Sequence, residues 1–144
     1  MLASINKAWD WTGVKAIEIV QMNDFGNIIF KTIENEFWRI CPEELYCIKI
    51  ADSQSEYEKL LKNSSFIEDW EMANIVRIAK ETVGELMDGE KYCLKLSGVL
   101  GGEYNCDNIG KNSHMEQIGF SGYLAKKIKH LPDGTKVILK VIKS

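Results

Sequence analysis

Short β-branched segments separated by tight turns fill the first part of the chain and constrain its fold most strongly. Segments 16–22, 28–33 and 37–41 are each long enough for one strand. The turn over 23–27 contains Gly and Asn, and Glu34-Asn35 makes a tight turn because Asn tolerates a positive φ. Connections this short predict an antiparallel meander.

Further strands are predicted by alternating apolar and polar residues at 46–50 and 91–96, and by a final apolar segment at 135–142. Residues Gly98–Asn112, rich in glycine, are expected to form a long loop. Strands and helices are mixed without a strict βαβ order. The sequence therefore predicts an α+β fold with a mostly antiparallel sheet.

Three capping boxes of the form Ser-x-x-Glu mark helix starts, at Ser53, Ser65 and Ser113. The first predicts a short helix over 56–61, and the second predicts the longest helix, which runs to about Met87. About three helices are thus expected. The helix after Ser113 is predicted to present one apolar face made of Phe120, Leu124, Ile128 and Leu131.

Composition indicates one globular domain. The chain has 144 residues, of which 45% are apolar and 27% charged, and only two are proline. No linker, repeat or low-complexity segment divides it, so residues 1–144 are expected to form a single domain.

The N-terminal residues lack a basic region followed by a long apolar one, and no run of about 18 apolar residues occurs. The four cysteines form no C-x-x-C pair. We therefore expect a cytoplasmic protein with reduced thiols and no membrane segment.

Charge is distributed unevenly along the chain. Residues 1–90 contain 9 Lys and Arg against 17 Asp and Glu, a net charge of −8, whereas residues 91–144 contain 9 against 4, a net charge of +5. No basic face with interleaved aromatic residues indicates direct nucleic-acid binding. The acidic part could meet a basic partner such as a nuclease, or folding could intersperse both signs over one surface.

Candidate catalytic groups are few. His114 and His130 have no Cys or carboxylate at metal-ligand spacing, so both are expected on the surface, and an enzyme using Cys106 or His114 is the least favoured hypothesis. No metal, cofactor or catalytic residue is predicted. The Gly98–Asn112 loop lacks a phosphate-binding pattern; its glycines indicate either close backbone packing or a loop over a small-ligand pocket.

Two groups of acids lie beside aromatic residues. Glu43 and Glu44 follow Trp38, and Glu68 and Asp69 precede Trp70. These acids could be solvated charges, with the second group favouring the dipole at a helix start, or they could anchor a basic partner. The Trp9-Asp10-Trp11 segment could be another such patch or a lid on the core.

Several segments together resemble the C-terminal domain of type VI secretion DNase-immunity proteins. The resemblance covers about 16–142, which leaves residues 1–15 as an N-terminal extension. The segments that carry it are Phe25-Gly26-Asn27, Phe37-Trp38-Arg39-Ile40-Cys41-Pro42-Glu43-Glu44-Leu45, Glu68-Asp69-Trp70-Glu71-Met72, Gly98-Val99-Leu100-Gly101-Gly102-Glu103-Tyr104, Phe120-Ser121-Gly122-Tyr123-Leu124-Ala125 and Lys127-Ile128-Lys129-His130-Leu131-Pro132-Asp133-Gly134.

The resemblance implies a non-catalytic immunity protein that binds a cognate toxin, with DNases as the best-known partners, and occludes its active site. The contact residues expected on this hypothesis are Glu43, Glu44, Glu68, Asp69 and Tyr104. The alternative is an intracellular regulatory or small-ligand-binding domain that uses the Gly98–Asn112 loop.

Overall fold

A computed structural model describes residues 1–129, which form five α-helices and two antiparallel sheets of four and two strands. The helices are α1 (Leu2–Ala8), α2 (Gln54–Leu60), α3 (Ser64–Glu71), α4 (Ala73–Val83) and α5 (His114–Ile128). The strands are β1 (Glu18–Met22), β2 (Ile28–Lys31), β3 (Phe37–Cys41), β4 (Tyr46–Ala51), β5 (Glu90–Leu94) and β6 (Ile109–Ser113). This confirms the α+β class, with more helices than the three expected.

The first sheet is the predicted meander, with β1, β2, β3 and β4 adjacent in chain order. Ile29 of β2 lies opposite Arg39 of β3, and Arg39 lies opposite Ile48 of β4. Asn35 adopts a φ of 63° in the turn between β2 and β3, as the sequence predicts.

One face of this sheet packs on the N-terminal helix and on α5. Ile28, Phe30 and Ile40 form a buried cluster there with Ile5 of α1 and with Trp9. Of the two interpretations of the Trp9-Asp10-Trp11 segment, the lid on the core is therefore correct for Trp9. No helix was predicted over residues 2–8, because seven residues are too few for a clear apolar period.

The other face of the sheet is covered by α2 and α3 over only part of its area. Phe37 stacks on Tyr57 of α2 with ring centroids 4.3 Å apart, and Trp70 of α3 belongs to the same buried cluster. Since side chains alternate along a strand, Arg39 and Cys41 share this face with Phe37. The candidate functional site is built around them.

The predicted single helix from Ser65 to Met87 is wrong. Met72 adopts a left-handed conformation with φ 49° and separates α3 from α4. The Asn23 side chain donates to the Trp70 carbonyl at 2.9 Å, so a tertiary contact binds the end of α3. The N-cap of α3 is Asn63, which accepts from the Phe66 amide, and not Ser65.

The loop expected over Gly98–Asn112 is shorter than predicted, because its last residues belong to β6. This strand pairs with β5, from Leu94 opposite Ile109 to Glu90 opposite Ser113. The Ser53 and Ser113 side chains accept from the Glu56 and Glu116 amides, so these two caps are confirmed.

The predicted apolar face of α5 is only partly correct. Leu124 is buried, but Phe120 is 60% exposed. The helix instead buries a face that is largely polar or small: His114, Gln117, Ile118, Ser121, Gly122, Leu124 and Ala125. Leu131, His130 and the predicted strand at 135–142 lie outside the described residues. No helix within residues 1–129 is long and apolar enough to cross a membrane.

Candidate functional site

A buried polar network crosses the partly covered face of the first sheet. Arg39 of β3 donates through Nε to Asn27 Oδ1 at 3.0 Å and through Nη1 to Asp69 Oδ2 at 2.5 Å. Asn27 donates through Nδ2 to both carboxylate oxygens of Glu43, at 2.8 and 2.9 Å. The network therefore connects the β1–β2 turn, strand β3, the β3–β4 turn and helix α3.

Glu43 lies at the inner end of this network. Its side chain is buried, and it also accepts from the Cys41 thiol at 2.8 Å. Burial raises the pKa of the Glu43 carboxyl, although the bonds from Cys41 and Asn27 oppose the shift. Burial likewise raises the pKa of the Cys41 thiol, and the nearby Glu43 adds to the effect. Cys41 is therefore not poised as a thiolate nucleophile.

Asp69 lies at the outer end. Its side chain is 67% exposed, whereas that of Arg39 is only 6% exposed. The Arg39 guanidinium also lies 5.2 Å from the centre of the Trp70 ring. Asp69 occupies the last turn of α3, where the helix dipole disfavours an acid, so the expected dipole explanation is wrong for it.

Glu44 and Tyr104 form a second acidic element. The Tyr104 hydroxyl donates to Glu44 Oε1 at 2.8 Å, although the two residues are 60 positions apart. A Cβ on Gly98 would lie 1.5 Å from the same oxygen, so the carboxylate occupies the space that a side chain would need. This contact fixes the segment after β5 against the β3–β4 turn.

Tyr46 lies between the two elements. It stands opposite Cys41 in the β3–β4 register and is half-buried. Burial raises the pKa of the Tyr46 phenol, and Cys41 and Asp69 are near enough to raise it further while Arg39 lowers it. We define the Glu44–Asp69 surface as the exposed atoms of Glu44, Tyr46, Glu68, Asp69 and Tyr104.

Four of the five residues expected to contact a partner are at least partly exposed. Glu44, Asp69 and Tyr104 lie at this surface, and Glu68 is exposed one residue before Asp69. Glu43 is a correction: it lies beneath the surface, where it cannot touch a partner directly. The solvated-charge alternative is therefore wrong for Glu43, and Arg39, the basic residue next to Trp38, is buried as well.

Sequence reasoning missed Asn27 and Arg39 as members of the site. A signal for Arg39 is present in β3, since Phe37 and Cys41 are apolar residues two positions on either side of it. A charged residue at the centre of an otherwise apolar strand face indicates a buried pair. Asn27 carries no comparable signal, because Asn is ordinary in a turn.

His114 is a further correction, since it is buried and not on the surface. Its Nε2 lies 2.9 Å from the Gly26 carbonyl oxygen, and burial lowers the pKa of its imidazole. One ring nitrogen is thus engaged by the backbone, which is a structural role. Within residues 1–129, no group of three or more His, Cys, Asp or Glu side chains is placed to hold a metal ion.

Close packing accounts for Gly98 and Gly102 in the segment after β5, whereas Gly101 adopts a φ of 97° with nothing near its Cβ position. A Cβ on Gly102 would lie 1.8 Å from the Leu96 carbonyl oxygen. Asn108 donates through Nδ2 to the carbonyls of Leu96 and Glu103, at 2.9 and 3.0 Å. These contacts favour the close-packing interpretation of the segment over a loop that closes on a ligand.

The chain matches a known protein family. A family model described as "T6SS immunity protein Tdi1, C-terminal" matches residues 51–125, just over half of the chain. The matched range contains α2, α3, α4, β5, β6 and most of α5, and with them Glu68, Asp69 and Tyr104. No curated protein matches the chain.

Proposed function

The chain belongs to the family of type VI secretion system immunity proteins described as Tdi1, C-terminal, and from this premise we propose that it binds and neutralises a cognate secreted toxin. The observation that carries the proposal is the family match over residues 51–125, together with a preorganised acidic surface to which that range contributes Glu68, Asp69 and Tyr104. Neutralisation is by stoichiometric occlusion of the toxin's active site and involves no catalysis.

We propose the Glu44–Asp69 surface as the toxin contact. Tyr104 orients Glu44, and Arg39 orients Asp69, so both carboxylates are held before any partner arrives. Fixed groups lose less conformational entropy on binding than mobile ones. Tyr104, the exposed aromatic residue beside Glu44, is of a type often found at energetically important interface positions.

A nuclease is the toxin class that this surface fits best. Glu44, Glu68 and Asp69 give this surface three carboxylates that are at least partly exposed, and a nuclease presents a basic groove to its phosphate substrate. Carboxylates in that groove would take the place of phosphates and would speed association through charge complementarity. The protein would act in the cytoplasm of the cell that it protects, where the toxin would otherwise reach DNA.

The test is co-expression with the effector encoded beside this chain's gene. Cells that make the effector alone should stop growing, and cells that also make this protein should grow. The two proteins should co-purify in a fixed ratio, because an occluding inhibitor is consumed one for one. Growth arrest despite abundant soluble protein, with no complex on purification, would contradict the proposed function.

A second arm separates occlusion from catalysis. Purified protein is titrated into an assay of effector activity at an effector concentration far above the dissociation constant. Occlusion predicts a linear fall in activity that reaches zero at a fixed ratio near one. Complete loss of activity at a few hundredths of one equivalent would indicate enzymatic inactivation instead.

A further inference from the structure

We infer that Arg39 is a positioning residue of the toxin-binding surface, which holds Asp69 so that its carboxylate receives an arginine side chain of the toxin. The inference rests on the proposed function and deepens it by naming the group on the partner. Neither Arg39 nor its role was among the contact residues expected from the sequence.

The first observation is the unequal burial of the Arg39–Asp69 pair. The arginine side chain is 6% exposed and the aspartate side chain 67% exposed, although their atoms are in direct hydrogen-bond contact. The positive charge of Arg39 therefore lies inside the fold, and the Asp69 carboxylate that neutralises it faces solvent. Asp69 is thus available to a partner while its position is set from below.

The second observation is how completely Arg39 is fixed. Its Nε is bonded to Asn27, its Nη1 is bonded to Asp69, and its guanidinium lies over Trp70. Asn27 is itself held by Glu43, which is buried. A guanidinium held at three points transmits a fixed orientation to the carboxylate that it contacts.

Stability alone does not account for this arrangement. Burying the Arg39 guanidinium costs free energy of desolvation, and an apolar side chain in the same space often gives an equal or more stable fold. Asp69 also lies in the unfavourable last turn of a helix. Packing alone therefore does not explain why an arginine is buried here, whereas the need to orient an acid at the surface does.

The chemistry of the site selects a cationic and planar partner group. Asp69 accepts from Arg39 through Oδ2, and within residues 1–129 its Oδ1 accepts no hydrogen bond. Glu68, the preceding residue, is a further exposed carboxylate, and Tyr46, which lies opposite Cys41 in the sheet, offers an aromatic ring. A carboxylate oxygen beside an aromatic ring suits an arginine, which can bond and stack at once, better than a lysine.

Asp52 provides a matched control. Like Asp69 it is an exposed acid bonded to a basic residue of the first sheet, with a side chain 61% exposed and Lys49 as its partner. Lys49, however, is 40% exposed, so Asp52 is not positioned by a buried residue. Asp52→Asn therefore makes the same chemical change without removing a positioned group.

The experiment measures the dissociation constant between this protein and a catalytically inactive form of the adjacent effector. Four proteins are compared with the wild type: Asp69→Asn, Arg39→Lys, the double variant and Asp52→Asn. We expect Asp69→Asn to weaken binding by about 10- to 100-fold and Asp52→Asn to change it less than about 2-fold. Arg39→Lys keeps the charge, but one ammonium group cannot bond Asn27 and Asp69 in the same geometry, so binding should again weaken.

The double variant distinguishes positioning from a general structural role. If Arg39 acts through Asp69, the double variant should bind about as weakly as Asp69→Asn alone. Additive losses would overturn the inference, and so would wild-type affinity for Asp69→Asn, whose amide oxygen can still accept a hydrogen bond from Arg39 but carries no charge. Failure of the wild-type protein to bind the effector at all would instead contradict the proposed function.

Discussion

The amide of Asn27 separates a buried acid from a buried base: its Nδ2 lies 2.8 and 2.9 Å from the Glu43 oxygens, and its Oδ1 lies 3.0 Å from Arg39 Nε. Both sides of the amide are used, so its orientation is fixed. This neutral group stands between the two, and the positive charge of Arg39 lowers the pKa of Glu43 less than burial raises it. Burial consequently dominates the pKa of Glu43, which is raised above 4.5.

The raised pKa of Glu43 makes a signed prediction for stability. The folded protein holds this proton more tightly than the unfolded chain does, so the stabilising contribution is complete below pH 4.5 and is lost as pH rises through the folded pKa. Glu43→Gln stays neutral at every pH. Its free energy of unfolding relative to the wild type should therefore increase as pH rises from about 4 to about 7, measured by urea denaturation. A difference that is constant across this range would contradict the prediction.

His114 makes the opposite prediction. Burial lowers the pKa of its imidazole below 6.5, so the folded state resists protonation. Its stabilising contribution is present above pH 6.5 and is lost as pH falls through the folded pKa. The free energy of unfolding of the wild type, relative to a His114→Asn variant, should decrease between about pH 7 and pH 5. If the two proteins lose stability in parallel, the imidazole is not titrating as its burial requires.

Two glycines on α5 should respond to alanine with opposite signs. A Cβ on Gly122 would lie 2.4 Å from the Ala8 carbonyl oxygen, whereas a Cβ on Gly119 meets nothing within 4 Å. Gly122→Ala should therefore push α1 away from α5 and lower stability by about 1–3 kcal/mol. Gly119→Ala should raise stability by about 0.5–1 kcal/mol through helix propensity.

Thermal unfolding of the two variants checks this prediction. Because both substitutions add one methyl group to the same helix, the difference between them isolates the contact with α1. Equal melting temperatures would mean that residues 2–8 do not pack on α5 as the structure shows.

The sequence correctly predicted the strands, turns and helix caps that depend on residues close together in the chain. The meander followed from β-branched segments and turn residues, and the caps at Ser53 and Ser113 followed from a side chain that reaches an amide three residues away. The break at Met72 could not be predicted in this way. It depends on Asn23, which is 49 positions earlier in the chain and acts on the end of α3.

The candidate site, too, could be predicted from the sequence only in part. Acids beside aromatic residues were visible in the sequence, and three of them, Glu44, Glu68 and Asp69, are at least partly exposed. The burial of Glu43 was not visible, because adjacent glutamates look alike until the turn that separates them is known. The pairing of Glu44 with Tyr104 joins residues 60 positions apart and requires the fold.

The most direct test of the account is the association rate of this protein with the inactive effector, measured at about 0.05 M and about 0.5 M salt. Replacing Glu44, Glu68 and Asp69 with Lys should slow association by about tenfold or more at low salt, with a smaller effect at high salt. A control that replaces the exposed Glu58, Glu81 and Glu85 with Lys changes net charge equally and should have a much smaller effect. Equal rates for the two triple variants would contradict the claim that the Glu44–Asp69 surface meets the toxin.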